Sequence, residues 1–171
     1  SYFSIVNRYL LTIAISFFAF TDLVAQDRHN IDSLFQIING KANDSLKVEA
    51  YNEMVWEYYG KLNDSALFYA NKAIKLARRT PYKIALGNAY RIAGLVYERM
   101  SDYPKALDHQ QMALKIYEKT DFKPGIANSL NNIAVIFKAQ DEFEKALDYQ
   151  TRALKICEET GDKKGIESSF N

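Results

Sequence analysis

The sequence predicts an all-α fold in which antiparallel helix hairpins stack into a solenoid. The first observation is an internal repeat, in which the segment from Lys105, KALDHQQMALKIYEKT, returns from Lys145 as KALDYQTRALKICEET with 11 of 16 positions identical. A looser copy, SALFYANKAIKLARRT, starts at Ser65, so the three copies are evenly spaced along the chain. The second observation is that apolar residues recur three and four positions apart within each copy, which is the period of one helix face. A fixed repeat of this length indicates an array of stacked helical units.

The charge and the cysteine content narrow the class of protein. The 171 residues include 22 basic and 21 acidic side chains, which give a formal net charge of +1. Nucleic-acid binding would need a concentrated surface of Lys and Arg, so we expect no nucleic-acid partner. The single cysteine, Cys157, excludes an internal disulfide framework and a multi-cysteine metal site. Its repeat equivalents are Ala77 and Tyr117, so we expect Cys157 to pack in the core.

Residues 1–25 do not belong to the repeats. Arg8 precedes an uncharged apolar run, Leu10 to Phe20, and the segment closes on a small residue, Ala25. A basic flank, a short apolar run and a small residue before the cut are typical of a secretory signal peptide. The run is shorter than the ~20 residues that a membrane-spanning helix needs, and an uncleaved N-terminal anchor is the alternative. Either interpretation predicts that the repeats are exported.

The remaining segments can be assigned in order. Residues 26–44 form a polar linker and a short capping helix, Ile31–Asn39, and Asn43 is placed to cap the next helix. Repeat 1 covers residues 45–80, repeat 2 residues 81–121 and repeat 3 residues 122–161, and residues 162–171 begin a truncated repeat 4. Because the chain ends within this fourth copy, we expect it to be a fragment of a longer array.

Each repeat is predicted to contain two helices joined by a short turn. Pro104 falls in the first turn of a second helix, where its missing N–H costs nothing. Asp141 and Glu144 have capping-box spacing before another. The predicted helices are Leu46–Tyr59 and Ser65–Arg79 in repeat 1, Tyr82–Met100 and a helix through Lys105–Thr120 in repeat 2, and Ile126–Ala139 and Glu144–Thr160 in repeat 3.

The order of small and large residues within a repeat is similar to that of a known family. Small residues such as Ala106 and Ala113 recur where two helices would cross. From about Leu46 to Asn171 the pattern resembles the tetratricopeptide repeat family, in a 40-residue variant longer than the common 34-residue repeat. An aromatic position of that family's motif is occupied instead by Ala70, Gln110 and Gln150. The resemblance implies a right-handed superhelix with a concave inner wall.

The resemblance also implies a peptide-binding groove along the first helix of each repeat. Its predicted lining residues are Asn52, Trp56, Asn88, Arg91, Asn128, Asn131, Asn132 and Asn171. Asparagine is a poor helix former, so its recurrence inside helices calls for a reason. Its amide both donates and accepts, which suits it to hold an extended peptide backbone, and Trp56 would add an aromatic anchor. The alternative is an exposed helix face that tolerates polar residues, with Trp56 packed on the capping helix.

No stretch of the sequence indicates catalysis, a metal or a cofactor. The two histidines, His29 and His109, have no second ligand or catalytic partner at useful spacing. The sequence contains no glycine-rich phosphate loop and no nucleophile elbow. We therefore expect no enzymatic activity, metal site or cofactor within this chain, and any catalytic domain would have to follow downstream.

Together these features predict a module that binds a protein or a peptide in a concave groove. The signal sequence, the capping helix and the 40-residue repeats resemble the extracytoplasmic sensory regions of bacterial signalling proteins such as histidine kinases. That resemblance implies signal transduction from the periplasmic or extracellular face of a bacterial membrane. The chain would then reach the membrane only through its N-terminal segment or a span downstream of residue 171. The alternative is a free-standing scaffold, exported or membrane-anchored, with no output domain.

Overall fold

A computed structural model describes residues 30–168, and the regular structure within this range is entirely helical. Helix α1 covers residues 30–39. It is followed by α2 (Asp44–Tyr58), α3 (Asn63–Ala77), α4 (Lys83–Arg99), α5 (Tyr103–Lys119), α6 (Lys123–Ala139), α7 (Phe143–Thr160) and α8 (Lys163–Ser168). This order confirms the predicted all-α fold. The predicted signal peptide or anchor, and Asn171, lie outside the described residues.

The helices stack as successive hairpins. Helices α2 and α3, α4 and α5, and α6 and α7 pack in pairs, and each second helix also packs against the first helix of the next pair. The first helices α2, α4 and α6 approach one another in order, whereas no Cα atoms of α3, α5 and α7 come within 8 Å of each other within residues 30–168. Each hairpin therefore buries its apolar side against its neighbours, as in other repeat arrays.

The core repeats along the chain with the period of the sequence. The alanines that recur in each second helix are all buried, namely Ala66, Ala106 and Ala146, and Ala73, Ala113 and Ala153. Cys157 is also buried, which confirms the predicted packing position. Small side chains at these positions allow two helices to approach closely. Larger apolar side chains such as Val55 and Ile133 fill the space beside them.

The turns at the ends of α4 to α7 share one hydrogen-bonded geometry. The backbone carbonyls of Tyr97, Tyr117, Phe137 and Cys157 each accept a hydrogen bond from the N–H five positions later, at 2.9–3.0 Å. The residues just before those N–H groups, Ser101, Asp121, Asp141 and Gly161, have φ values of 60°, 51°, 61° and 69°. This combination is the Schellman closure of a helix. Its positions are evenly spaced, and they alternate between the turn inside a repeat and the turn between repeats.

The predicted start of α6 and the predicted cap of α7 differ from the structure. Helix α6 begins at Lys123 instead of Ile126, with Pro124 in its first turn, where proline is tolerated. The predicted capping box of Asp141 and Glu144 is wrong. Asp141 lies in the left-handed turn before α7, and α7 begins at Phe143 with no side-chain cap.

The predicted cap of α2 is confirmed, because Asn43 Oδ1 accepts a hydrogen bond from the Leu46 N–H at 2.9 Å. Among the helices of the described region, none combines the length and the apolar composition needed to cross a membrane.

Candidate functional site

The side of the first helices that faces away from the core, here called the outward side, carries a row of apolar side chains. Trp56 on α2 is 40% exposed and Val135 on α6 is 49% exposed, with the half-buried Leu95 on α4 between them. The three residues occupy equivalent positions in successive repeats and therefore follow one line along the array. Exposed polar residues flank this row. We call the face formed by Glu49, Glu53, Trp56, Leu95, Asn128 and Val135 the first-helix surface.

Trp56 has its closest aromatic neighbour at the end of its own helix. Its ring lies edge-on to Tyr59, with 5.3 Å between the ring centroids. The capping helix α1 instead brings Phe35 to 6.5 Å from Tyr69, a residue of α3. Trp56 is 40% exposed, so part of its indole is open to a ligand.

The predicted groove asparagines divide into two groups. Asn128 is exposed and Asn131 is half-buried on the outward side of α6. Asn88 and Asn132 instead take part in the packing of the array. Asn88 Oδ1 accepts a hydrogen bond from the Tyr117 hydroxyl at 2.6 Å, and Asn132 Nδ2 donates to a buried glutamine at 3.3 Å. The fold itself therefore provides a reason for two of these asparagines.

That buried glutamine, Gln110, joins two first helices from inside the core. Its side chain is 0% exposed. Its Nε2 donates to the backbone carbonyl of Arg91 on α4 at 3.0 Å, and its Oε1 accepts from Asn132 on α6. A Cβ added to Gly94 would lie 2.7 Å from Gln110 Nε2, so this glycine provides the space that the amide occupies. Gln110 thus links repeat 2 to repeat 3.

Tyr117 forms a second link between the same helices. Its ring is fully buried, and an added Cβ would lie 2.6 Å from a ring carbon both at Gly87 on α4 and at Gly125 on α6. The ring thus fills the space that a side chain at either glycine would need. Burial raises the pKa of the Tyr117 phenol to about 12, and the charge of Arg91 opposes that rise. The phenol is therefore neutral and available to donate to Asn88.

Asn52 differs from the other predicted groove residues. It is only 8% exposed, so it does not lie open on the first-helix surface. Its Oδ1 has no hydrogen-bond partner among the residues that the structure describes. Asn171 falls outside that range and has no described position.

Neither core link was predicted from the sequence. Gln110 was identified only as a departure from a family motif, and Tyr117 only as an apolar repeat equivalent. The sequence does contain a signal for each link. Gln110 is a polar residue and Tyr117 a large one on the buried face of α5, and glycines occur on the neighbouring first helices where these side chains need space. Within residues 30–168, no three His, Cys, Asp or Glu side chains are grouped so as to hold a metal ion.

The sequence matches a family model described as tetratricopeptide repeat. The match covers residues 57–119 and residues 86–159, which together span more than half of the chain. The matched region includes α3 to α6 and nearly all of α7, and therefore both core links.

Several solved structures share the fold. Aspartyl phosphate phosphatase F from Bacillus subtilis aligns with a TM-score of 0.71 and 21% identity over 80% of this chain. BtubC from P. vanneervenii aligns with a TM-score of 0.66 and 14% identity over 86% of this chain and 70% of its own. MamA aligns with a TM-score of 0.58 and 21% identity over 80% of this chain and 67% of its own. This chain spans only 39% of the length of the phosphatase. A search of curated proteins gave no match.

Proposed function

Because the chain belongs to the tetratricopeptide repeat family, whose arrays bind proteins and peptides, we propose that its first-helix surface binds an extended peptide segment of a partner protein. The observation that carries the proposal is the row formed by the exposed Trp56 and Val135 and the half-buried Leu95. An extended peptide fits such a surface. Its side chains can contact the apolar row, and its backbone can form hydrogen bonds with the polar side chains beside the row. An exposed tryptophan is among the residue types that contribute most to binding energy.

The contacts between helices support a concave shape for this surface. First helices of successive repeats have Cα atoms within 8 Å of one another, whereas the second helices do not within the described range. The layer of first helices is therefore the more closely spaced of the two. A stack curves toward its more closely spaced layer, so the first-helix surface forms the inner side of the array. A concave surface allows one peptide to contact several repeats at once.

The proposal is tested with peptides selected from a displayed random library against the full chain. The affinity of a selected peptide is then measured by calorimetry for the wild type, Trp56→Ala and Val135→Ala. We expect Trp56→Ala to weaken binding about 10-fold or more, because truncating a central aromatic residue removes a large contact area. Asn128→Ala should weaken it less, because it removes one exposed hydrogen-bonding group. Asn132→Ala is unsuitable for this test, since it also breaks the bond to Gln110.

The matched control variant is Phe68→Ala. Phe68 is an aromatic residue of the same repeat, 54% exposed, but it lies on the second helix α3. Affinity that is retained in Phe68→Ala and lost in Trp56→Ala would support the first-helix surface. Equal losses of affinity in both variants, or an affinity that neither substitution changes, would exclude the first-helix surface as the binding site.

We further propose that the array is exported and acts as the sensory part of a larger signalling protein. The support is the charge and apolar pattern of residues 1–25 and the resemblance of the repeats to such regions. Fusion of residues 1–168 to alkaline phosphatase, which is active only outside the cytoplasm, tests export in a bacterial host. An active fusion that becomes inactive when residues 1–25 are deleted supports export, and an inactive full fusion contradicts it.

The sensory role and the scaffold alternative make different demands on the sequence downstream of residue 171. A sensor requires an apolar span of ~20 residues and then an output domain, whereas a scaffold requires a polar capping helix and a stop. Sequencing the gene beyond this point distinguishes the two.

A further inference from the structure

A second surface, on the opposite side of the array from the first-helix surface, contains a cationic cavity. Its volume is about 510 Å³, and it is lined by Asn71, Ile74, Lys75, Arg78, Arg79, Tyr90 and His109. These residues belong to α3 and the turn after it, to α4 and to α5. The Cα atoms of α3 and α5 stay more than 8 Å apart in the described region, so the cavity occupies the gap between the backbones of two successive second helices. We call it the α3–α5 cavity.

The charge around the α3–α5 cavity is not neutralised by the fold. Lys75, Arg78 and Arg79 carry three positive charges, and no acidic residue lines the cavity. These three side chains form no salt bridge with any residue that the structure describes. Lys75, Arg78 and Arg79 therefore give the wall a net charge of +3, not counting His109. Such a wall attracts an anion of more than one negative charge.

Hydrogen bonds inside the cavity position one of these cations. The Arg78 guanidinium donates to the Tyr90 hydroxyl through Nε at 3.0 Å and also through Nη2. This contact fixes the planar group and leaves Nη1 able to donate into the cavity. Because the Tyr90 oxygen accepts both bonds, its own O–H proton can also be donated. Asn71 adds an amide to the same wall.

The cluster is specific to this gap. At the equivalent positions one repeat later, Lys115, Glu118 and Lys119 replace Lys75, Arg78 and Arg79. The net charge there is +1 instead of +3. Stabilisation of the helix C-terminus by positive charge cannot be the general reason for Arg78, because the array folds with a glutamate at that position in the next repeat.

We propose that the α3–α5 cavity is a binding site for a small organic phosphate monoester. A phosphate group carries up to two negative charges and three acceptor oxygens, which suits two arginines and a lysine that converge on one space. A volume of about 510 Å³ exceeds what a bare phosphate would fill and lies in the range of small-molecule sites. The organic part of the ligand would lie against the His109 ring and the small exposed parts of Ile74 and Tyr90, which are otherwise buried. None of the lining residues belongs to the first-helix surface, so this site is independent of the proposed peptide binding.

The test uses phenyl phosphate as the probe and the full chain labelled with ¹⁵N. Backbone amide shifts are followed by NMR at an ionic strength of about 0.15 M, where weak long-range attraction is screened. We expect saturable shifts at the C-terminal end of α3. We expect the double variant Lys75→Gln/Arg79→Gln to weaken the affinity about 10-fold, because each lost cation removes a charge-assisted hydrogen bond. Arg78 is kept, since it also binds Tyr90.

The matched control is Lys115→Gln/Lys119→Gln, which removes the same two charges from the neighbouring gap. Retained affinity in this control supports the site, whereas an equal loss in both double variants indicates diffuse attraction and overturns it. Shifts that do not saturate also overturn it. Two further probes define the ligand. Benzoate binding as tightly as phenyl phosphate would contradict the phosphate assignment, and inorganic phosphate binding as tightly would contradict the role of the organic part.

Discussion

At the scale of single residues, the most informative side chain is Tyr117. It is buried between Gly87 and Gly125, and its hydroxyl donates to Asn88. The equivalent positions in the other repeats carry smaller side chains. Ala77 is found in the repeat where Ala85 replaces the equivalent of Gly125, and Cys157 lies against Gly165. A large side chain is thus accommodated only where the next first helix offers a glycine. The volume at this position is set by the pair of residues and not by either one.

The titration of Tyr117 should make the protein less stable at alkaline pH. The pKa of its phenol is raised from 10.0 to about 12 in the folded state, so the neutral form is favoured by folding. Its stabilising contribution is complete below about pH 10 and is lost as the pH rises toward about 12. We expect this loss to amount to about 2–3 kcal/mol of unfolding free energy.

Urea unfolding at about pH 8 and about pH 11.5 measures this loss in the wild type and in Tyr117→Phe. The variant should be less stable by about 1 kcal/mol at the lower pH, because Asn88 loses its donor. It should also lose less stability than the wild type between the two pH values. The same pH dependence in both proteins would show that Tyr117 does not cause the effect.

At the scale of the helices, the left-handed turn residue is the feature that ends α4 to α7. Three of the four positions are filled by residues other than glycine, which adopt a positive φ at some cost. Threonines add side-chain hydrogen bonds at the ends of α3, α5 and α7. The hydroxyls of Thr80, Thr120 and Thr160 donate to backbone carbonyls in the last turn of their helices, at 2.9–3.0 Å. The helix ends are therefore specified locally, and the sequence specifies them again in each repeat.

Substitutions at two of these turn positions should have opposite effects. Ser101→Gly should raise the unfolding free energy by about 0.5–1 kcal/mol, because glycine adopts the φ of 60° without steric cost. Gly161→Ser should lower it by about 1 kcal/mol, for the same steric reason. A Cβ at Gly161 meets no atom within 4 Å, so that loss would come from the backbone alone. Thermal and urea unfolding of both variants measure the changes, and changes of the same sign would refute the backbone explanation.

At the scale of the whole molecule, the array is held together by contacts between successive repeats. Helix α4 touches α2, α3, α5 and α6, and its links to α6 include the polar bridge through Gln110. In such arrays the stability is approximately the sum of the repeats and their interfaces. A buried hydrogen-bonded amide at one interface therefore acts on the cooperativity of the whole stack.

Replacement of Gln110 by a side chain of similar shape should weaken the stack. Gln110→Met leaves the Arg91 carbonyl and the Asn132 amide without their partner, and we expect a loss of about 1–3 kcal/mol in unfolding free energy. The control is Gln150→Met, at the equivalent position one repeat later, where the glutamine is half-buried. Urea unfolding followed by circular dichroism compares the two. Equal stabilities for the two variants would mean that the bridge contributes nothing specific.

The candidate site was only partly accessible from the sequence. The apolar positions Trp56 and Val135 could be placed on the outward side of the first helices, because their repeat register fixes the face on which they lie. The asparagines could not be sorted in the same way. Whether an amide faces a ligand or the core depends on its partner. For Asn132 that partner is Gln110, which is 22 residues away and on another helix.

The sequence by itself determined the helical repeat, the order of the hairpins and most of the buried positions. A constant period places equivalent residues in equivalent surroundings, so one repeat predicts the next. The tertiary structure alone decided which polar groups the core uses and where the cationic cavity forms. Those outcomes depend on side chains of different repeats meeting in space, and on the room that a glycine or a gap between second helices leaves for them. Distances of that kind are set by packing, which a single repeat does not encode.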